Sequence, residues 1–341
     1  MIDISECQLK ELALSYIGKN GSSSQYPINQ VFVKEPTEER FIMDLLLKPF
    51  VSASKTFEFS HEIDLKYNVV FNIARHLFQG EELISGAELI RSHLISTSVH
   101  HGIKDGEVLV ASFDDVRIGD TFHDAIGIYK FESRSVFLST EVSDNAIDHY
   151  FSNGIGNKKP EKACLIILTE EPFLVLCIDN NDGGTAYWQD AFLGISTRED
   201  ATNFTSDLMN LAKDFILGEV PANAGLGKAE RIDLLNQSVG YFKENSNFVE
   251  AEFGVRVFDE YKLTDQFRDF RERSYKEGRR TSPDEFEISK IAVKKQARIF
   301  KSVLKLDRNF HVYIHGNKEL IQKGVEADGR KYYKIYYTHE S

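Results

Sequence analysis

The chain has 341 residues, 42% hydrophobic and 12% aromatic, enough for a substantial core and inconsistent with a disordered polypeptide. Its 41 Lys and Arg stand against 53 Asp and Glu, and the net charge of −12 argues against a small, strongly basic nucleic-acid binder. The longest apolar runs, such as Phe173–Ile178, are far shorter than the ~20 residues of a membrane helix.

Met1–Glu6 lacks the basic and apolar regions of a secretory leader, so the expected setting is the cytoplasm, with no membrane contact. Of the three cysteines, Cys164 and Cys177 sit in apolar strand-like runs and read as reduced, buried thiols.

In chain order, Leu9–Tyr16 and Ile28–Val33 read as strands flanking the polar Lys19–Ser24 loop. Thr37, Glu38 and Glu39 open a helix whose apolar face is Phe41, Ile42, Leu45 and Leu46, and Pro49 is expected to stop it. Ser60 is the expected cap of a second helix burying Ile63, Tyr67, Val70, Ala74 and Leu77. Glu82–Ile95 is a third helix, burying Leu83, Ala87, Ile90 and Leu94.

From Lys104 the period turns from helical to extended. Val108–Phe113, Ala125–Phe131, Val136–Thr140, Ala163–Thr169 and Phe173–Asp179 are strands with short polar connections, which favours an antiparallel meander over βαβ units. Tyr187–Leu193 reads as one more strand. A helix through Phe204, Leu208, Leu211, Ala212 and Phe215 ends near Gly218, and the loop Glu219–Gly227 is the expected domain boundary.

Beyond it, Ala229, Ile232, Leu235, Val239 and Phe242 recur at helical spacing, and Asn247 followed by Glu250 reads as the cap of another helix. Phe258–Tyr275 reads as helix and Ala292–Ala297 as a basic helical turn. Arg298–Leu306 and Phe310–His315 read as strands, Asn317–Lys323 as a short helix and Lys331–Thr338 as a last strand. The fold class is α+β. Residues 1–218 form an acidic α+β module with an antiparallel sheet, and residues 225–341 a helical module ending in a basic antiparallel β segment.

Chemical motifs occur only in outline. Gly225-Leu226-Gly227-Lys228 lacks a phosphate loop's first glycine, with Ala222 in its place, and its hydroxyl, with Ala229 in its place. Asp179-Asn180-Asn181-Asp182-Gly183-Gly184 resembles a calcium loop but lies between strands and reads better as a hairpin turn. His100, His101, His123, Asp124, Asp114 and Asp115 are scattered with no nucleophile or third ligand at a metal-site spacing. Pro283-Asp284 with Glu287 and Lys290 lacks the acid-x-Lys spacing of a nuclease site. No catalytic residue, metal or cofactor is assigned.

Two basic features remain. Arg268, Arg271, Arg273, Lys276, Arg279 and Arg280 crowd one helix end, where interspersed acids suit an ordinary solvated face. The stretch Lys290–Ser341 carries twelve Lys and Arg against five Asp and Glu, so a segment of +7 ends a body of −19. Strand alternation puts His311, Tyr313 and His315 on one face, and Tyr332, Lys334 and Tyr336 on another. Lys294, Lys295, Arg298, Lys301, Lys305, Tyr313, Lys331 and Lys334 are therefore the candidate DNA contacts, lysine neutralising phosphates and tyrosine stacking or hydrogen-bonding.

The wording of Lys228–Phe248, of Ala292–Gly324 and of the closing Lys-Tyr-Tyr-Lys-Ile-Tyr-Tyr resembles the bacterial nucleoid-associated protein family of the NdpA type, in its Bacteroidetes-like form. Asp124–Ser133 and the Tyr187-Trp188…Phe192-Leu193 segment are similar as well. The resemblance implies a nucleoid protein that binds double-stranded DNA non-catalytically and with little sequence preference. It assigns no DNA-contacting residues, so the candidates rest on charge and alternation. The rival reading is an adaptor that docks a DNA-maintenance protein, and a metal-dependent hydrolase using the His/Asp cluster is a remote third. Oligomerisation is left open.

Overall fold

The computed structural model describes residues 2–18, 26–51, 53, 55–98, 104–144, 146–156, 158–180, 187–220, 226–278, 282–297, 300, 303–306, 309–313 and 320–339. Helices and antiparallel sheet make it an α+β protein of two compact units, Met1–Arg198 and Glu199–Ser341. The helix Ala201–Asp214 thus goes with the second unit, ahead of the 219–227 loop where the sequence suggests a boundary.

The first unit is built on one sheet. Its strands are β1 (Ile2–Asp3), β2 (Gln8–Ile17), β3 (Asn29–Gln30), β4 (Phe57–Phe59), β5 (Gly106–Ile118) and β6 (Thr121–Phe131). After a separate hairpin of β7 (Ser135–Ser143) and β8 (Ala146–Gly154) come β9 (Lys162–Ile167), β10 (Leu174–Asp179) and β11 (Ile195–Thr197). The order across the sheet is β11-β4-β10-β9-β6-β5-β2-β3, with β1 also on β5, and each pairing is antiparallel. The meander expected from the short connections is present in β5, β6, β9 and β10, but Val136–Thr140, expected within it, belongs to the separate hairpin.

Helix α1 (Pro36–Val51) covers one face through Leu45, Leu46, Leu47 and Phe50, which join Leu109, Ala111, Leu165 and Ile167. Helices α2 (Val69–Phe78) and α3 (Leu83–Thr97) cover the other with Phe71, Ile90 and Leu94, against Val108, Val110, Ile128 and Ile166. Odd and even residues of β5 thus enter different cores, as a period of two requires. Because β9 is central and covered on both sides, all six of its residues are buried, which is why it reads as a continuous apolar run.

Three local expectations for this unit fail. Helix α2 starts at Val69, capped by Asn68 rather than Ser60, and Ile63 is 80% exposed instead of buried. Asp64 caps a separate 3-10 turn, Leu65–Tyr67, so two caps in series shorten the helix that the apolar spacing suggests. Pro49 lies inside α1 rather than ending it. Tyr187–Leu193 is a π-helical turn, not a strand: the apolar residues Tyr187, Trp188, Phe192 and Leu193 skip the alternation and bury together, with the Trp188 and Phe192 rings 4.7 Å apart.

The second unit packs α4 (Ala201–Asp214), α5 (Lys228–Glu244), α6 (Glu250–Phe258), α7 (Thr264–Lys276) and α8 (Lys290–Gln296) about an aromatic core. Phe258 and Phe267 lie 4.7 Å apart, and Phe242 stacks on Phe248 at 5.9 Å. Of the stripe expected on α5, Ile232, Leu235 and Phe242 are buried and Val239 packs beside them.

Asn247 does not cap α6. Asn247–Val249 is instead a short strand, β12, paired with β13 (Glu285–Glu287). The Val249 amide donates to the Tyr241 hydroxyl at 3.1 Å, so a distant side chain does the local work of a cap. The long helix expected over Phe258–Tyr275 is split at Asp259–Leu263, where Lys262 takes a left-handed φ of 56°.

Candidate nucleic-acid interface

The basic segment begins at α8, whose cap is the Ser289 hydroxyl accepting from the Ala292 amide. Ala292, Val293 and Gln296 are buried, which sets Lys294 in solvent and leaves Lys295 half-buried. Burial holds the Lys295 ammonium below its ordinary pKa. Lys290 is exposed but engaged. Its ammonium donates to the carbonyls of Lys243, at 3.1 Å, and of Asn245, capping the C-terminal end of α5.

Two two-stranded ribbons follow. In the first, β14 (Val303–Leu306) pairs with β15 (Phe310–Tyr313) so that Lys305 lies opposite His311, with Tyr313 opposite Val303. Arg298 and Lys301 lie outside the described residues, as do His315 and the loop of Asn181–Gly184.

In the second ribbon, β16 (Ile321–Val325) pairs with β17 (Lys331–Ile335). Of the helix expected over Asn317–Lys323, residues 317–319 lie outside the described residues and Ile321–Lys323 is strand, because its partner is supplied by β17 rather than by a local period. Lys334 opposes Gln322 and Tyr332 opposes Gly324, so Tyr332, Lys334 and Tyr336 share a face. Gly324 is needed under the Tyr332 ring, since an added Cβ would fall 2.2 Å from it.

The Tyr336 hydroxyl donates to Gln322 at 3.0 Å, and the Lys334 ammonium lies 4.9 Å from the Tyr336 ring centre. Hydrogen bonding to Tyr336 raises the Lys334 pKa, so its charge persists at neutral pH. Lys331 is exposed on the opposite face, beside Tyr333. Among the described residues the two ribbons are separate two-stranded sheets. Arg330 pairs with Asp328 at 2.6 Å, whereas among the described residues no ion pair holds Lys294, Lys331 or Lys334.

The other basic cluster is structural. Arg271 is buried, bonded to the Ser282 carbonyl and within 2.8 Å of both Glu250 and Asp284. Arg268 pairs with Asp265 and Arg273 with Glu219, so α7 holds its cations against acids. Arg279 and Arg280 lie outside the described residues.

The dispersed His/Asp set does not converge. His123 meets the Leu168 carbonyl through Nδ1 at 2.7 Å and the Thr121 hydroxyl through Nε2 at 2.9 Å, while Asp114 pairs with Lys10. His100 and His101 lie outside the described residues, and within those described no three His, Cys, Asp or Glu side chains gather as metal ligands would. Burial pushes the Cys7 and Cys177 thiols up to about 12, too high for a nucleophile. Among the described residues, no helix is long and apolar enough to cross a membrane.

The family described as nucleoid-associated protein YejK matches residues 19–330. The chain belongs to that family. No curated protein matches it. Membership in the YejK family ties the chain to the bacterial nucleoid and accounts for the likeness of its wording. The matched stretch contains Lys294, Lys295, Arg298, Lys301, Lys305 and Tyr313, and stops one residue before β17, so Lys331 and Lys334 lie beyond it.

What sequence reading missed here is mostly non-local. It did not see that Lys290 serves as a cap, that β16 exists, or that Arg271 is a buried cross-link. The only sequence signal for the last was the acids interspersed among the arginines of α7.

Proposed function

We propose that this YejK-family chain is a cytoplasmic nucleoid protein of the NdpA type that binds double-stranded DNA without catalysing a reaction. Contact is largely sequence-independent and made by the C-terminal cations. The observation that carries the reading is the charge of Lys290–Ser341, +7 against −19 elsewhere, with Lys294, Lys331 and Lys334 exposed. A polyanion is then drawn to one end of an acidic chain and repelled by the rest.

Lys305 and Tyr313 stand on the paired strands β14 and β15, and the Lys334 ammonium lies 4.9 Å from the Tyr336 ring centre, a pairing of cation and ring that suits phosphate contact with stacking. Binding to a duplex of arbitrary sequence, titrated with salt, tests this reading. Affinity should fall steeply, with a log–log slope of about −0.9 for each phosphate neutralised. Affinity indifferent to salt would overturn direct phosphate contact. The acidic balance of residues 1–289 favours one rival, an adaptor for a basic DNA-maintenance protein, which would be preferred if purified protein ignored DNA.

A further inference from the structure

The hairpin β7–β8 pairs with no other strand among the described residues, and its outer parts lie open to solvent. Its base is fixed. Arg134 pairs with Glu107 and lies over the Tyr16 ring at 5.8 Å, and the Ser133 hydroxyl donates to Glu161. The nine-residue strands beyond that base form a ribbon about 30 Å long at ~3.3 Å per residue. A two-stranded ribbon standing alone in water is marginal at best.

The register sorts its side chains into two unlike faces. Val136 opposes Asn153, Leu138 opposes Phe151, Thr140 opposes His149 and Val142 opposes Ile147. That face holds five large apolar side chains, with Val142 77% and Phe151 69% exposed, and no Asp, Glu, Lys or Arg. The reverse face carries Glu141 directly opposite Asp148, a like-charge pair that belongs in water. Residues 135–154 include no Lys, Arg or Pro, the residues that usually protect free strands from association.

We propose that this apolar face docks against the same face of a second copy of the chain, giving a two-fold dimer closed by paired hairpins. Three observations choose a second copy over another occupant. The face is uncharged, so placing it on itself opposes no like charges, although the whole chain carries −12. Its five apolar side chains expose roughly 500–600 Å², and the flanking Thr140, His149 and Asn153 bring it near the ~800 Å² per partner of a standard interface. The apolar stripe runs the length of the ribbon, from Val136 near the base through Leu138 and Phe151 to Val142 and Ile147 at the tip, so a two-fold axis across its middle lays the stripe of one copy on that of the other, an isologous contact. The reverse face, with Glu141 and Asp148, would meanwhile stay in water.

Sedimentation velocity of the full chain, without DNA, tests the proposal. At about 50 μM, well above the micromolar Kd that an interface of this size supports, the particle should have twice the 38.9 kDa chain mass. Leu138→Glu with Phe151→Glu should return it to single mass, and Val142→Glu with Ile147→Glu at the hairpin tip should do the same independently. Both pairs alter exposed positions, and an unchanged circular dichroism spectrum checks folding. Glu141→Gln with Asp148→Asn, on the reverse face, should leave the dimer intact. Amide exchange in residues 135–154 should slow as concentration rises. A wild-type particle of single mass would overturn the proposal, as would a dimer that persists in both apolar-face variants. Single-mass protein that floats with zwitterionic vesicles would assign the face to a lipid surface instead. Failure here leaves the DNA-binding reading untouched, because the experiment contains no nucleic acid.

Discussion

Lys130 and Lys162 are direct cross-strand partners on β6 and β9, two buried ammonium groups side by side in the sheet. Each is held by its own carboxylate: Lys130 donates to Glu132 at 2.8 Å and Lys162 to Asp179 at 2.6 Å. The Tyr187 ring lies 5.7 Å from one ammonium and 4.9 Å from the other, and the Tyr187 hydroxyl accepts from Lys130 at 3.2 Å. Desolvation lowers the Lys130 pKa, while its hydrogen bond to Glu132 opposes that fall. This network ties the end of the central sheet to the π turn.

Lys130→Met is therefore expected to destabilise the first unit by about 3–5 kcal/mol, because Glu132 is left buried without its cation. Adding Glu132→Gln should recover much of the loss. Chemical denaturation of the single and double variants gives the coupling. A single variant as stable as the wild type would mean that the pair contributes nothing net.

Stability should decline above pH 9. Cys7 and Cys177 titrate near 9 when unfolded and are pushed up to about 12 by burial in the fold. Between those values the unfolded chain has released protons that the folded chain keeps, so raising pH favours unfolding. The slope is at most about 1.4 kcal/mol per pH unit for each group. Tyr187 and Tyr129, also raised by burial, act in the same sense above pH 10. Lys130 acts oppositely, since its folded form releases a proton first. Denaturation midpoints at pH 8 and 10.5 should differ accordingly, and less so in Cys177→Ala. Thiol reagents at neutral pH should label these cysteines slowly in the native protein.

Asn68 joins three segments. Its Oδ1 caps α2 by accepting from the Phe71 amide at 2.9 Å, while its Nδ2 donates to the carbonyls of Leu193 and Gly194 at 2.9 and 2.8 Å. Asn68→Ala should cost about 2–4 kcal/mol, a lost cap together with buried carbonyls left unpaired. Asn68→Asp keeps the cap but not the donor, and should fall between the two in thermal denaturation.

Two basic clusters should separate in a single experiment. Lys294→Gln with Lys334→Gln should weaken duplex binding and reduce the salt slope by about one per lost phosphate contact, leaving thermal stability nearly unchanged. Arg271→Ala should do the reverse, lowering stability because Glu250 and Asp284 lose their partner, without altering the salt slope of the folded protein. Equal effects of the two changes on affinity would remove the distinction drawn here between α8 with β17 and α7.

Features that depend on near neighbours are legible from side-chain spacing alone. The change of period at Lys104, the continuous apolar run of β9 and the helical stripe of α5 follow from side-chain spacing, and with them the α+β class and the antiparallel meander. The excess of positive charge in the last fifty residues was equally plain. Whatever requires a distant partner emerges only once the chain is folded. Ile321–Val325 has no strand signature of its own and becomes one against Lys331–Ile335, which also places Lys331 and Lys334 on opposite faces. Asn247 would cap a helix locally, but pairing with Glu287 draws it into a strand, and Tyr241 supplies the hydrogen bond instead. Nothing near Lys130 or Lys162 in sequence marks them as buried; they become so when β6 and β9 meet in register. The physical reason is common to all three: a hydrogen-bond partner or a counter-charge remote in sequence outweighs a local preference worth only a few tenths of a kcal/mol to about 1 kcal/mol.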